Sequence, residues 1–534
     1  MGLRENIGGR VTASHESLQA LGVNSVDDFI YRCLTDLFYL CAVVLRHGKK
    51  VEYRDLNHIH RLFCDFLDFT RNPYPQKLGL MSRDTLKSTI GRGMMIQEFL
   101  KASVYGEEKL FGIYTGLTDL SEEHMTRINR EILTNELIQG YLHGYVPSKE
   151  SEAEAWGKEG IRYKNIGIDI GSLKKSLTGF HYGGVWSDNI VNEQNVRTAD
   201  LRFGTFDTWQ RMESIIAQGA WEVMTETPWE KDDLSGRILD PDCDFDYKKI
   251  KGKSPGRFMS VTGYDVFSCF VRNEKGELNF LPRLDEEYLA RKKRKQGSYF
   301  YMRMYEGQVV DAKDIQISPS MNLKYDVLPD IHIRMISVDC AGTRSDRSSD
   351  SAVTIGDWAL DRNLYIPYSV KKKVRPIELF HWVEDLWDQC EKEERPAWCL
   401  LIEREKYGIF LESLLEEKRS DINVLTVSHK GLPKPDRHVQ VVPYFEAGRI
   451  LSRKGLRDYD GEIKSWYKGK TEGVDIFDTV WMLIDQRIYP RKPAVTNLPA
   501  GYRAAKEPDD DFLKQIKRDQ QGRKMDNRQL GAMF

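Results

Sequence analysis

Two groups of residues in this chain have the types and spacing that chemistry on phosphates needs. The first begins in residues 79–90, GLMSRDTLKSTI, where an apolar lead-in runs into Lys87, Ser88 and Thr89 at an expected helix start. Amides at a helix N-terminus and a lysine neutralise a triphosphate, while a hydroxyl can ligate its magnesium. The usual loop has glycine six residues before the lysine and again immediately before it. Here Met81 and Leu86 hold those positions, so the segment taken alone reads as a solvated helix start. Two later segments strengthen it. Asp188 follows a short apolar run in LTGFHYGGVWSDNIV (177–191), and an acid at a strand's carboxyl end can hold magnesium's water shell. WEVMTETPWEKDDL (221–234) is a further expected strand, ending in Thr-x-Thr (Thr225 and Thr227) and an acidic turn.

The second group is a set of acids. Asp339 ends a β-run in VDCAGTRSDRSSDSAVTIGDW (338–358), with Asp350 as an additional candidate ligand. Glu403 likewise ends a strand in LLIEREKYG, and EGVDIFDTVWMLID puts Asp475 and Asp478 on one helical face. Hard oxygen ligands from two strand ends and a helix suit a two-magnesium site, with the ions roughly 3.5–4 Å apart. Any one of these acids alone reads as a strand-end or helix-surface residue. Their order within one α/β set is similar to an RNase H-like nuclease.

The elements that must position these residues can be read from periodicity. Residues 25–45 predict a helix capped by Ser25, and 121–138 a second with apolar spacing at Met125, Ile128, Ile132 and Leu133. Short apolar runs at 110–115, 165–170, 183–187 and 220–225 predict strands alternating with helices. That alternation implies an α/β domain with a mainly parallel sheet. A second set of strands is expected at 333–342, 351–359, 363–370 and 398–403, with a helix near 376–391 and two more strands around 438–452. The expected boundaries are 1–245 for the first domain and its N-terminal helical segment, 246–330 for a lid or linker, 331–492 for the second domain, and 493–534 for a weakly ordered tail.

With these segments in order, the chain resembles the large terminase subunit of tailed bacteriophages over roughly residues 60–490. SRDTLKST (82–89) looks like that family's glycine-poor phosphate loop, 178–188 like its TGFHY-then-carboxylate segment, and TETPWEKDDL like its coupling motif. Residues 338–352 and FEAGRI (445–450) match its nuclease motifs, and VDIFDT its closing acidic helix, with Val474 replacing one acid. The resemblance implies a P-loop-type ATPase followed by an RNase H-like nuclease. It places Arg83, Asp84, Thr85, Leu86, Lys87, Ser88 and Thr89 around the phosphates of ATP, with Ser88 and Asp188 on magnesium and Thr225 to Thr227 sensing the γ-phosphate. It assigns Asp339, Glu403 and Asp475 to the nuclease metals, Asp475 being favoured over Asp478, with Mg2+ replaceable by Mn2+. The family carries a second carboxylate directly after the Walker-B acid, to orient the attacking water. This chain has Asn189 there, and Glu193 is the candidate substitute. Arg127 and Arg130 are candidates by position for an arginine finger. Also implied are double-stranded DNA as substrate, a portal protein and small subunit as partners, a ring of identical subunits on the capsid, and work in the host cytoplasm.

Composition limits the alternatives. The chain has 534 residues, too many for one core, and 40% hydrophobic with 30% charged residues excludes a mainly disordered protein. Lys and Arg total 79 against 81 Asp and Glu, so any basic surface for nucleic acid is local. Arg291 to Lys295 and Lys371 to Lys373 are such runs; they read first as solvated faces and second as phosphate contacts. His181 reads as a structural histidine, with a nucleotide contact as the alternative. Eight scattered cysteines without a CxxC pair read as free thiols, and no apolar run reaches membrane-spanning length. The N-terminus, MGLRENIGGR, lacks a secretory h-region, which predicts a cytosolic-type chain. Two competing readings remain: an RNase H-like transposase or resolvase without a working ATPase, and a non-catalytic scaffold with decayed sites.

Overall fold

The computed structural model describes residues 15–47, 53–174, 181–251, 253–309, 315–340, 350–404, 406–429 and 431–487. The chain divides into a unit ending at Ile488 and a second unit, Tyr489–Phe534, which lies outside the described residues together with the expected tail. Residues 341–349 of the 338–352 motif and residues 178–180 of the TGFHY segment also lie outside them.

The first sheet contains β1 (Gln76–Met81), β2 (Lys109–Thr115), β3 (Ala155–Gly157), β4 (Gly160–Tyr163), β5 (Ile166–Ser172), β6 (Tyr182–Asp188), β7 (Ile216–Glu226), β8 (Gly256–Met259) and β9 (Asp265–Cys269). Its order is β3-β4-β5-β2-β6-β7-β1-β9-β8. The six strands from β5 to β9 in that order run parallel, with β3, β4 and β8 antiparallel at the two edges. Central strands buried on both faces read as near-continuous apolar runs, and β1, β2 and β6 do so. The expected lid or linker is shortened by this sheet. Residues 256–269 are β8 and β9, and β9 pairs directly with β1, because VFSC supplies a fully buried strand at the open edge of β1.

The second sheet contains β10 (Leu323–Tyr325), β11 (Ile331–Asp339), β12 (Ser351–Ala359), β13 (Leu364–Lys372), β14 (Cys399–Glu403), β15 (Val424–Val427) and β16 (Ile450–Arg453). Its order is β10-β16-β13-β12-β11-β14-β15. An antiparallel trio, β13-β12-β11, is extended by β14 and β15 parallel to β11, the RNase H-like arrangement. A buried Arg334–Asp357 pair (2.7 and 2.8 Å) locks β11 to β12 at opposed register positions.

Three expected elements differ. The helix over 25–45 breaks at Asp36, whose side chain accepts from Tyr39 N (3.0 Å) and so caps a new start; Ser25 caps the first part by accepting from Asp28 N (3.0 Å). The helix over 121–138 starts earlier, as Thr118–Thr134, and is divided from Glu136–Tyr141 by the cap Asn135. The two strands expected around 438–452 reduce to β16, since 434–439 and 442–446 are short helices, each with proline at its start. All eight cysteines are free. Among the described residues no helix is long and apolar enough to cross a membrane.

Two packing contacts set the position of the helix Lys87–Tyr105 that follows β1. Gly91 lies against Trp186 of β6, where an added Cβ would stand 2.2 Å from the indole Cζ2. His60 sits in a capping box with Asn57: its Nδ1 accepts from Asn57 N (2.9 Å), and its Nε2 faces Thr85 O at 3.2 Å. This places the proton on Nε2, donated to the loop before Lys87. Burial lowers the His60 imidazole to about 4.

Alanine ordinarily stabilises a helix interior relative to glycine by roughly 0.5–1 kcal/mol. Gly91→Ala should do the opposite, costing about 1–3 kcal/mol through overpacking against Trp186, read as a lowered thermal midpoint. As pH falls from about 6.5 towards 4, the unfolded chain takes up a proton that buried His60 refuses, so stability falls by about 1.4 kcal/mol per pH unit in that window. Urea unfolding of His60→Gln over this range should show a shallower acid loss than wild type.

Candidate functional sites

The loop 82–86 between β1 and its helix is held by many contacts. Ser82 Oγ donates to Tyr305 O (2.6 Å), Thr85 Oγ1 to Ser82 O (2.7 Å), and Arg83 N to Met304 O (2.8 Å). Asp84 Oδ2 accepts from Tyr288 OH (2.5 Å), Tyr305 OH (2.8 Å) and Lys292 Nζ (3.2 Å). Burial works to raise the Asp84 carboxyl, but these donors hold it below the usual range. Lys292, part of the basic run 291–295, is therefore a loop anchor. Leu86 has φ 64 and ψ 13, the left-handed conformation that the missing glycine would supply. The phosphate-loop backbone is thus kept without the residue type, at a cost of roughly 1–2 kcal/mol.

Lys87 opens the helix with its ammonium buried and donating to Thr227 Oγ1 at 2.5 Å. Burial lowers it to about 8 against the pull of Asp188 and Glu226. Asp188, at the end of β6, has no exposed surface. Its Oδ1 accepts from Ser88 Oγ (3.0 Å) and Thr225 Oγ1 (2.6 Å), and its Oδ2 from His124 Nε2 (3.0 Å) and Asn189 Nδ2 (3.1 Å). Burial alone would raise this carboxyl; the His124 hydrogen bond and charge, Lys87 and Thr225 bring it below its ordinary value. Ser88 and Asp188 face each other where a magnesium ion would be shared, and the helix amides and Lys87 face the place of an anion.

Of the residues expected here, Arg83 to Ser88, Asp188, Thr225 and Thr227 come together. Thr89 is committed to its own helix, with Oγ1 accepting from Arg92 Nη2 (3.1 Å) and its carbonyl from Tyr53 OH (3.1 Å). Glu193 lies elsewhere, lining a cavity with Arg197, Trp229, Glu230, Arg303 and Asp436. Arg127 pairs with Glu123, and His181 is exposed. Two further residues at the site escape sequence reasoning. His124 is marked in the sequence only by its helical spacing with Ile128. Glu226 ends β7, fully buried, with Oε1 accepting from Ile190 N (2.7 Å).

In the second half the acids gather at the ends of β11 and β14 and in the first turn of the helix Asp475–Asp485. Burial and the carboxylates of Asp478, Glu403 and Asp475 hold Asp339 well above the usual range, against the pull of Lys434. Asp475 is raised by burial, and the charges it meets include Lys434, Lys371, Asp478 and Asp350. A basic segment fills the space between. Lys434 Nζ is 2.5 Å from Asp478 Oδ2, His438 Nε2 is 2.8 Å from Asp478 Oδ1, Arg437 Nη1 donates to Glu403 Oε1 (2.5 Å), and His429 lies against the same oxygen. Among the described residues no three His, Cys, Asp or Glu groups stand at metal-holding spacing. The donors fit a hard divalent ion in chemistry, and the cations among them are the Lys434 ammonium and the Arg437 guanidinium. Val474, in place of the missing acid, is buried at the helix start; Glu462 accepts from Phe477 N (2.7 Å) and pairs with Lys371 (2.8 Å). Neither the basic segment nor Glu462 follows a local motif.

The halves meet through charge. Glu230 accepts from Arg303 Nη1 (2.9 Å) and Lys468 Nζ (3.4 Å), and Arg197 pairs with Asp436 (3.1 Å). Arg83 stands 5.6 Å from the ring centre of Trp229.

No family model and no curated protein matches the chain. Among solved structures it is similar to the large terminase from a thermophilic bacteriophage (TM-score 0.46, 13% identity, 80% of this chain and 98% of that one). It is also similar to the HK97 bacteriophage large terminase (TM-score 0.35, 11% identity, 85% and 98%). A third similar structure is the large terminase nuclease of thermophilic phage G20c with bound magnesium (TM-score 0.25, 13% identity, 32% and 98%).

Proposed function

We propose that this chain is a terminase large subunit, an ATP-driven translocase of double-stranded DNA joined to a metal-dependent endonuclease. One observation carries the reading. Lys87, Ser88, Asp188 and Thr227 meet at the carboxyl ends of the adjacent strands β6, β7 and β1, beside a helix N-terminus and a left-handed loop residue. That is a triphosphate cradle. The same chain carries carboxylates at the strand ends of an RNase H-like sheet, which is what cutting a phosphodiester requires.

In the first site Lys87, buried and with no carboxylate of the described residues in hydrogen-bond contact, would gain the phosphates as its counter-charge. The amides of Lys87, Ser88 and Thr89 would hold the phosphate oxygens, and Ser88 and Asp188 would hold Mg2+. Thr227, bonded both to Lys87 and to Met81 O (3.1 Å), would register the γ-phosphate; Thr225 holds Asp188 in place. In the second site Asp339, Glu403, Asp475 and Asp478 would hold Mg2+ or Mn2+, and Lys434 would leave as ions enter. Bound metal would activate water and stabilise the leaving 3′-oxygen. The ATPase half comprises residues 1–269, the lid and linker 270–330, and the nuclease 331–492. The working form is a ring of identical subunits on a portal protein with a small subunit, in the host cytoplasm.

Mg-ATP should bind wild type in calorimetry and should not bind Lys87→Ala; equal binding by both would displace the site from this loop. Asp339→Ala should lose manganese-supported plasmid cleavage by at least about 100-fold while ATP turnover stays near wild type. Parallel loss of both activities would argue against two independent sites.

A further inference from the structure

Asn189 leaves the first site without the carboxylate that would direct a water at the γ-phosphate. An amide cannot take a proton from water, and this one donates to Asp188 Oδ2. Strand register shows what stands in its place. Strand β7 lies between β6, which carries Asp188, and β1, which carries the phosphate loop. Asp188 is opposite Thr225 and Leu80 is opposite Glu226. Glu226 is therefore one step past the Asp188 pair, level with Asn189 and one strand nearer the loop.

The surroundings of Glu226 are those of a group kept for a reactant. It has no exposed surface and, among the described residues, no cation in hydrogen-bond contact. Oε1 accepts from Ile190 N, while Oε2 has no hydrogen-bond partner among the described residues. Leaving a buried carboxylate oxygen unpaired costs on the order of 1–3 kcal/mol or more, and most such oxygens are satisfied. The charges acting on it include Lys87 and Asp188, the two groups assigned to phosphate and magnesium, and burial raises its carboxyl well above the usual range. Glu193, the other acid considered, faces the cavity beside Arg303 and Asp436.

We propose that Glu226 positions the attacking water and accepts its proton in ATP hydrolysis at this site, a role that rests on the ATPase reading above. Glu226 Oε2 takes the proton as the water oxygen bonds to the γ-phosphorus. The bond from that phosphorus to the β,γ-bridging oxygen breaks, and ADP leaves with the electron pair. The carboxylate normally found after the metal-binding acid has in effect moved to the neighbouring strand.

The test uses the full chain, with phosphate release and Mg-ATP calorimetry measured side by side. Glu226→Gln should bind Mg-ATP within a few-fold of wild type and lose turnover by about 100-fold or more. Glu226→Asp keeps a carboxylate, set back by one methylene, and should bind normally, turn over at an intermediate rate and keep the acidic limb of the kcat–pH profile. Turnover near wild type in Glu226→Gln, with binding intact, overturns this assignment alone. So does loss of turnover in Glu193→Gln with Glu226→Gln active. If Glu226→Gln does not fold, a wild-type rate in Glu226→Asp counts against the role. Absence of Mg-ATP binding by wild type overturns the ATPase reading and this assignment together.

Discussion

A carboxylate taken fully out of water must be surrounded by donors, and the first half of the chain is drawn together around one such group. Asp188 collects Ser88 from the start of one helix, His124 from another, Thr225 from the neighbouring strand and Asn189 from the turn beyond. Each donor lies on a different element. Meeting the hydrogen-bond demand of one buried group therefore fixes how two helices and two strands stand at the sheet's carboxyl edge. Trp186 serves the same end from within β6: its indole donates to Thr225 Oγ1 (3.0 Å) and fills the space that Gly91 leaves open. Lys87 enters this group as a buried cation that donates to a hydroxyl rather than to a carboxylate. A site in that condition is prepared for an anion.

The second half meets the same demand in another way. Its acids also crowd at strand ends, but there the compensation is ionic, from Lys434 and Arg437 on one short helix, whose His438 imidazole adds a hydrogen-bond contact to Asp478. Asp478, ringed by these cations, is held below the ordinary range despite its burial, whereas Asp339 is held above it. The two carboxyls are thus pushed in opposite directions because one has the cations and the other has mainly its acidic neighbours. The same short helix carries Asp436, which pairs with Arg197 of the first half. Next to that pair, Glu230 accepts from Arg303 and Lys468, three residues beyond Thr227. Residues of the two halves are therefore joined by ion pairs around one cavity.

Much of this was legible in the sequence because it depends on short-range pattern. Apolar runs of strand length gave β2, β5, β6, β7, β11 and β14 nearly where they occur, and a strand end followed by an acid marked Asp188, Asp339 and Glu403. Lys87 and Ser88 were visible as a pair at a helix start. The backbone that makes them useful was not, because nothing local predicts that Leu86 will adopt a left-handed conformation; contacts to Asp84, Ser82 and Thr85 from distant residues impose it.

Local pattern supplies the inventory: two α/β sets, a phosphate-type loop, and acids in the order strand, strand, helix. Which of these groups share a space is settled by the packing of distant segments. Glu226 rather than Glu193 stands with Lys87 and Asp188, because parallel strand register brings together residues far apart in the chain. Asp475 and Asp478 are both buried at the start of their helix and both act on Asp339, because the helix packs its first turn against the strand ends. Residues 256–269 belong to the first sheet because an open strand edge was free to accept them. Local pattern sets periodicity and element type; long-range pairing and the need to satisfy buried charge set the partners.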